Sequence, residues 1–303
     1  MHTKGAVMKF LGTLIMAIMA IFVGCMYVGE SSEDETPLRF MAIDVGQGLA
    51  VLLEWGGRYA MYDFGPDSVG VVDSLVARGV DTLDWVVLSH NHRDHVGGFL
   101  ELEGRGVVVR RLYLGPDTAG GFFCDSVLHV ASRLKIPVDT LLRGESVRFG
   151  GGANGFAAGS GCVAGVECPR FDVLWPARYM RVGENRASVV LLGRFGTSKT
   201  LLTGDLDSVG ERQLLEMNPT LSAELLQVAH HGSAGSNTLK FLSQVSPKYA
   251  FVSAGAGNRY GHPASSVVRK LNLVLGDSTK LFRTDLQGSL RFEIFPSMGV
   301  VVP

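Results

Sequence analysis

The stretch that decides the fold is Ser89-His90-Asn91-His92-Arg93-Asp94-His95-Val96-Gly97-Gly98. It follows directly on Leu83–Leu88, a nearly unbroken apolar run of the kind expected for a strand buried on both faces. Three of the chain's eight histidines therefore sit with an aspartate where a buried strand empties into a loop. Neutral imidazole suits zinc, manganese or iron, and a carboxylate adds charge compensation. Such a loop lets His90 and His92 face one cation while Asp94 and His95 turn towards a second. Gly97 and Gly98 are expected to allow close backbone approach as the next helix begins. A histidine-rich surface loop is the bland alternative, and a buried strand that points the cluster inward argues against it.

Two later motifs supply what a two-cation site still lacks. Thr203-Gly204-Asp205 ends an apolar strand, which places Asp205 to bridge two ions with its two oxygens. His230-His231-Gly232-Ser233 ends the Leu225–Ala229 run in the same way. Strand alternation puts His230 on the face of Leu226 and Val228, so His230 is the expected ligand and His231 the other candidate.

Around these motifs, short apolar runs alternate with helical patterns. Strands are predicted at Arg39–Val45, Leu49–Trp55 and Arg58–Phe64, with Trp55-Gly56-Gly57-Arg58 as a hairpin turn. Further strands are predicted at Leu83–Leu88, Ala187–Phe195, Lys199–Thr203, Leu225–Ala229 and Tyr249–Ser253. Helical spacing marks Val69–Arg78, Ser208–Met217, Asn237–Val245 and Pro263–Leu271. Gly150–Gly165 reads as a long loop, placed to lie over the site. Buried strands with helices at intervals predict helix, sheet, sheet and helix layers in one domain.

Composition sets the outer limits. The chain has 303 residues, 46% hydrophobic and 19% charged, which excludes disordered, collagenous and coiled-coil classes. With 28 basic and 29 acidic residues, no broad basic nucleic-acid surface is expected. Arg105, Arg110 and Arg111 form only a modest basic cluster, placed by sequence near the histidine loop. Phe10–Val23 is the one long apolar segment, preceded by Lys4 and Lys9. It is shorter than the roughly 20 residues of a permanent span and reads as a secretory signal.

Val23-Gly24-Cys25 then resembles a bacterial lipoprotein cleavage site, with Cys25 carrying the lipid. A plain signal peptide or an uncleaved anchor are the alternatives. The expected organisation is a leader over 1–25, a polar acidic tether over 26–37 and a catalytic domain over 38–303. Removing the leader takes two lysines and moves the formal net charge from -1 to -3. Export leaves the other cysteines in an oxidising place, where Cys162 and Cys168 could pair.

These residues match a family. His90-x-His92-x-Asp94-His95 with Asp205 and a later histidine resembles the metallo-β-lactamase fold superfamily of hydrolases. Asp44-Val45-Gly46-Gln47-Gly48, Tyr62-Asp63-Phe64-Gly65, Asn185-x-x-Ser188, Thr203-Gly204-Asp205, His230-His231-Gly232-Ser233 and Tyr260-Gly261-His262-Pro263 narrow it. Together they resemble the hydrolase domain of the ComEC/Rec2 competence proteins, from about Leu38 onward. The resemblance implies an α+β architecture, an αββα sandwich with a metal site at one edge of its sheets. It also implies phosphodiester hydrolysis, DNA being the leading substrate.

Departures from the family are visible. The competence proteins carry a membrane channel domain, and no second long apolar segment occurs here, so no pore of its own is expected. His92 stands where many of them have aspartate, and Leu49 where aspartate commonly follows the glycine. Asn185 and Ser188 stand where other superfamily members place another histidine. An incomplete first shell, with one ion firmly held and one labile, is a fair alternative to two full sites.

The chemistry expected is attack by cation-activated water, with one or two zinc or manganese ions as cofactor. Asp94 is taken as a reacting-site carboxylate as well as a ligand. His262 is the candidate acid for the leaving alkoxide or grip on the phosphate, or else merely a helix cap. Asn185 and Ser188 can donate to phosphate oxygens. Asp44 and Asp63 are read as carboxylates that orient imidazoles. Gln47 lines the pocket or forms an ordinary turn. The expected partners are a phosphodiester substrate and a membrane reached through Cys25, with no protein partner inferred. Competing readings are an esterase, thioesterase or lactam hydrolase, or a choline-phosphate esterase on cell-surface polymers. A non-catalytic surface protein of the same fold is the remaining class.

Overall fold

The hairpin at Gly56-Gly57 sets the first sheet in register. Both glycines have positive φ (56° and 73°), as a two-residue turn between twisted strands requires. Trp55 therefore pairs with Arg58, and Ala50–Trp55 runs antiparallel to Arg58–Phe64. In the computed structural model, residues 36–116, 122–150, 168–177, 184–297 and 299–302 are described. The leader, Cys25, most of the tether and residues 151–167, with Cys162, lie outside them. Cys168 is in a disulfide. No helix among the described residues is long and apolar enough to cross a membrane.

Two large sheets carry the fold. The eight-stranded sheet runs Gly299–Val301, Leu290–Phe295, Leu38–Ala42, Ala50–Trp55, Arg58–Phe64, Trp85–Leu88, Leu112–Leu114 and Val138–Thr140. The seven-stranded sheet runs Leu281–Arg283, Tyr249–Val252, Leu225–Gln227, Ser198–Leu202, Val190–Phe195, Arg170–Trp175 and Ser146–Arg148. Each sheet is antiparallel at one side and parallel at the other. Parallel neighbours need crossovers, and the helices at Val71–Val76, Phe122–Arg133, Ser208–Met217, Leu239–Val245 and Ser265–Leu275 supply them.

Three apolar layers follow from that connectivity. The middle one is rich in large rings, with Phe40, Trp55, Trp85, Phe171, Phe251 and Phe292 packed between the sheets. Burying each such side chain stabilises the fold by roughly 1.5–3 kcal/mol. The two outer layers pack Val72, Leu75 and Val127 beneath one sheet's helices and Leu214, Leu242 and Leu271 beneath the other's. The result is the predicted αββα sandwich.

Element bounds depart from the sequence reading where polar groups intervene. The Leu83–Leu88 run splits into Thr82–Leu83 and Trp85–Leu88 around Asp84. Asp84 is buried and accepts from Arg58 (2.8 Å), Arg110 (3.1 Å) and the Gly150 amide (2.8 Å), which diverts the chain. Glu184–Ala187 is a short 3-10 turn, and its strand starts at Val190. The helix after Pro263 runs Ser265–Leu275, beginning after Ala264, so His262 is no helix cap.

Candidate metal centre

The parallel strands of both sheets discharge at one edge of the sandwich. Asp63 is the last residue but one of Arg58–Phe64, and Trp85–Leu88 leads into the histidine loop. Ser198–Leu202 leads to Asp205, Leu225–Gln227 to His231, and Tyr249–Val252 to Ser253 and the His262 loop. Residues spread over most of the chain therefore converge because each follows a parallel strand of the same sense.

Two groups of three donors result. His90, His92 and Asp205 form one, and Asp94, His95 and His231 the other. Asp205 lies between them. Its carboxylate is 3.1 Å from His95 Nε2, 3.5 Å from His231 Nε2 and 3.9 Å from His90 Nε2. His231 Nε2 also stands 3.4 Å from Asp94. The imidazoles crowd together, His90 with its ring centroid 4.2 Å from His95 and 4.5 Å from His92.

These donors fit cations better than each other. His90 Nε2, His95 Nε2, His231 Nε2 and Asp205 Oδ1 are buried without a hydrogen-bond partner, all aimed into the same space. Buried polar atoms in a folded core are ordinarily satisfied. Lone pairs of neutral imidazole converging on a carboxylate are what a divalent ion requires.

The opposite ring nitrogens are tied down. Asp63 is fully buried and accepts from the Ser89 amide (2.6 Å), Ser89 Oγ (2.7 Å) and His95 Nδ1 (2.7 Å). Ser89 Oγ in turn contacts His90 Nδ1 at 3.0 Å. His231 Nδ1 donates to the Ser253 carbonyl at 2.8 Å. Each bond fixes a proton on Nδ1, so the neutral ring turns the lone pair of Nε2 towards the metal space. Asp63, His230, His231 and Asn237 all hold positive φ (58°, 52°, 54° and 59°). Backbone of that kind costs of order 1 kcal/mol per residue and clusters at functional sites.

Within the cluster, carboxylates and imidazoles shift one another's protonation. Burial pushes Asp205 up, but His231 and His95 outweigh it and hold the carboxyl well below the usual range. Burial lowers His231, yet Asp205 and then Asp94 raise it to about 9. His95 is likewise raised against its burial by Asp205 and Asp63. His90 is pushed well below its ordinary value by burial and by His95. Cations entering the site would replace protons on the raised histidines.

Close packing required by the loop falls on glycines. A Cβ on Gly97 would lie 2.3 Å from the Asp67 amide nitrogen, and one on Gly98 2.3 Å from the Phe64 carbonyl. Gly48 leaves room for the Asp94 carbonyl, which a Cβ would meet at 2.6 Å.

Residues 43–166 match the metallo-beta-lactamase superfamily. The chain carries a metallo-β-lactamase domain. It is 34% identical over 253 residues to the competence protein ComA of Neisseria gonorrhoeae, covering 82% of this chain and 31% of that protein. It is 29% identical over 299 residues to ComE operon protein 3 of Bacillus subtilis, covering 92% of this chain and 35% of that protein. The chain thus spans about a third of the length of these relatives. Among solved structures, it resembles the metallo-beta-lactamase fold protein YhfI from Bacillus subtilis. That match has a TM-score of 0.50 at 14% identity, over 86% of this chain and 100% of that one, and it speaks to fold alone. The resemblance read from the ordered motifs therefore holds.

Several residue roles in the metallo-β-lactamase domain differ from the sequence reading. His231, not His230, completes the second group of donors. The strand ends at Gln227 and both histidines turn left-handed, so alternation no longer decides which ring faces inward. His230 sits at the rim, 3.6 Å from Asp205 and 3.5 Å from the Asn185 amide. Ser188 is fully buried and accepts from the Asp205 amide at 3.1 Å, so it braces the loop and does not reach a phosphate. Asp44 is exposed, and its carboxylate accepts from the Gly46 amide within its own turn rather than from an imidazole. Gln47 accepts from the Gly255 amide at 3.2 Å and ties two loops together.

The arginine cluster also moves. Arg111 precedes the Leu112–Leu114 strand, which runs parallel to Trp85–Leu88, so it lies at the end of the sheet opposite the histidine loop. Arg105, Arg110 and Arg111 pair with Asp73, Asp84 and Asp139.

Three supporting residues have no role assigned from sequence. Ser89 links Asp63 to His90, as above. Gln227 Oε1 accepts from the Thr203 and Gly204 amides at 2.7 and 2.8 Å, and its Nε2 donates to the Val228 carbonyl at 2.8 Å. Asn237 closes both backbone groups of Ala229 at 3.0 and 2.9 Å. A buried glutamine at a strand end and an asparagine soon after the paired histidines are the signals available, and both are weak.

Proposed function

We propose that the chain is a metal-dependent phosphodiesterase, acting on DNA or another phosphodiester, exported by its leader and held at the membrane by a lipid on Cys25. The observation that carries the hydrolytic reading is the pair of donor groups joined by Asp205, with their facing atoms buried and unsatisfied. The named competence relatives support a nucleic-acid substrate over a lactam. Zinc or manganese there would acidify a bound water and draw off negative charge from the phosphoryl group.

The chain's own residues prepare that chemistry. His90, His92 and Asp205 would hold one ion, and Asp94, His95 and His231 the other. Asp63, Ser89 and the Ser253 carbonyl orient the rings. His262 stands with its ring 5.7 Å from His230 and 6.4 Å from His231. Burial and those two histidines hold it below its ordinary pKa, so it is neutral in the free protein. An arriving anionic phosphate would let His262 take up a proton and pass it to the leaving alkoxide. Asn185, its amide nitrogen 3.5 Å from His230 Nδ1, would donate to a phosphate oxygen.

Purified protein loaded with Zn²⁺ or Mn²⁺ should cleave bis(p-nitrophenyl) phosphate and single-stranded DNA, and leave nitrocefin and thioesters intact. Intact DNA and phosphodiester with either ion would overturn the proposal, and nitrocefin or thioester turnover alone would favour the other hydrolase classes. Labelled palmitate should enter the wild-type chain and not Cys25→Ser.

A further inference from the structure

The loop from Ser253 to Ala264 does more than deliver His262. Asn258 organises it: its Oδ1 accepts from the Tyr260 amide (3.1 Å) and the His262 amide (3.0 Å), and its Nδ2 donates to the Gly255 carbonyl (2.8 Å). Gly261, with φ 68°, turns the chain so that the residues flanking it stack. Tyr260 lies over His262 with centroids 5.7 Å apart and planes at 25°. His262 lies over His231 with planes at 23°. A row of rings therefore runs from the metal centre to the protein surface.

At its outer end Tyr260 is 55% exposed, and a planar partner can reach its ring as the exposed Arg259 side chain turns aside. Arg259 is exposed beside it, its guanidinium 5.0 Å from the ring centroid and hydrogen-bonded to the phenol oxygen at 2.9 Å. Arg259 has no carboxylate partner within salt-bridge distance among the described residues. An exposed aromatic and an unneutralised cation, fixed one ring beyond a catalytic histidine, are the two elements by which proteins grip single strands.

We infer that Arg259 and Tyr260 bind the nucleotide adjacent to the scissile phosphodiester, a base stacking on Tyr260 and a flanking phosphate meeting Arg259. This rests on the phosphodiesterase reading above and names its substrate class as single-stranded nucleic acid. The charge on Arg259 selects among polymers. A choline-bearing chain would bring its cation up against the Arg259 charge, whereas a nucleic acid presents a flat neutral base to the ring and an anion to the guanidinium. The net acidic chain does not oppose this, since Arg259 supplies a local cation at the site.

Fluorescence anisotropy with a ten-nucleotide phosphorothioate oligothymidine tests the assignment on the Zn²⁺-loaded protein. Tyr260→Ala should weaken binding about tenfold, and Tyr260→Phe should restore it to within about threefold. An abasic deoxyribose-phosphate chain of the same length should bind the wild type as weakly as the alanine variant binds the oligonucleotide, with no further loss in that variant. Arg259→Ala should reduce the slope of log affinity against log salt by about 0.7.

Unchanged affinity in Tyr260→Ala, equal loss on the abasic chain, or no wild-type binding to the oligonucleotide would each overturn the inference. Preferential binding of a phosphocholine polymer would do the same. Wild-type turnover of bis(p-nitrophenyl) phosphate, measured alongside, reports on the phosphodiesterase reading separately, because the binding arms need no cleavage.

Discussion

Replacing Asp63 by asparagine removes one charge and almost no volume, yet the geometry leaves the new side chain nowhere to go. Three donors converge on the carboxylate: the Ser89 amide on one oxygen, and Ser89 Oγ with His95 Nδ1 on the other. Asparagine offers a single acceptor oxygen. If that oxygen keeps His95 and Ser89 Oγ, its amide group faces the Ser89 N–H, donor against donor. If it keeps the Ser89 amide, His95 Nδ1 meets an N–H and must shed its own proton. That proton then moves to Nε2, the atom that faces Asp205 and the cation space.

Either outcome leaves a buried donor unpaired or blocks a ligand, at a cost of about 1–3 kcal/mol. Expressed as metal affinity, this is roughly a 10- to 100-fold loss, the range typical when a ligand's orienting partner is removed. The assay is competition for Zn²⁺ against a chromophoric chelator at pH 7.5, with far-ultraviolet circular dichroism to confirm folding. A folded Asp63→Asn protein that binds Zn²⁺ within twofold of wild type would refute the reasoning.

His231→Ala should lower the Zn²⁺ stoichiometry by elemental analysis, while His230→Ala should retain it, and the reverse order would restore the alternation argument. In the metal-free protein, the folded pKa of His231, about 9, lies above its unfolded value. Its contribution to stability is therefore complete below about pH 6.5 and lost as pH rises through 9, by a few kcal/mol at most. Urea midpoints at pH 6 and pH 9.5 should show that fall, and bound Zn²⁺ should diminish it. Gln227→Leu strands the Thr203 and Gly204 amides, so a loss of about 3 kcal/mol and a lower melting temperature are expected by calorimetry. Gly98→Ala drives a methyl group into the Phe64 carbonyl and should abolish Zn²⁺ binding, measured by the same chelator competition.

Much of the site was readable because its parts are local. His90 to His95 come from one loop after one apolar strand, and Asp205 ends another, so chemistry and strand pattern coincide in sequence. Asp63 was readable only through its motif. Ser89, Gln227 and Asn237 escaped because single polar residues at strand ends look alike until a partner is known. The choice between His230 and His231 failed for a different reason. Period-two alternation describes extended chain, and both residues adopt left-handed backbone once the strand has ended.

The arginine cluster taught the same lesson at longer range. Arg110 and Arg111 follow the histidine loop closely in sequence, but the chain crosses back along the sheet before it reaches them. Direction along a parallel strand, not distance along the sequence, decides which end of the sandwich a residue occupies.

The amino-acid pattern by itself determined the layered architecture, the hairpin at Gly56-Gly57, the metal-binding residue types and the glycines that let the loop pack. These follow from steric and hydrophobic rules acting over a few neighbouring residues. Tertiary structure decided which imidazole faces inward, which carboxylate orients which ring, and that Tyr260 ends a row of rings leading from Asp205. Those facts depend on which strands run parallel and on hydrogen bonds between residues far apart in the chain, and no local periodicity encodes either.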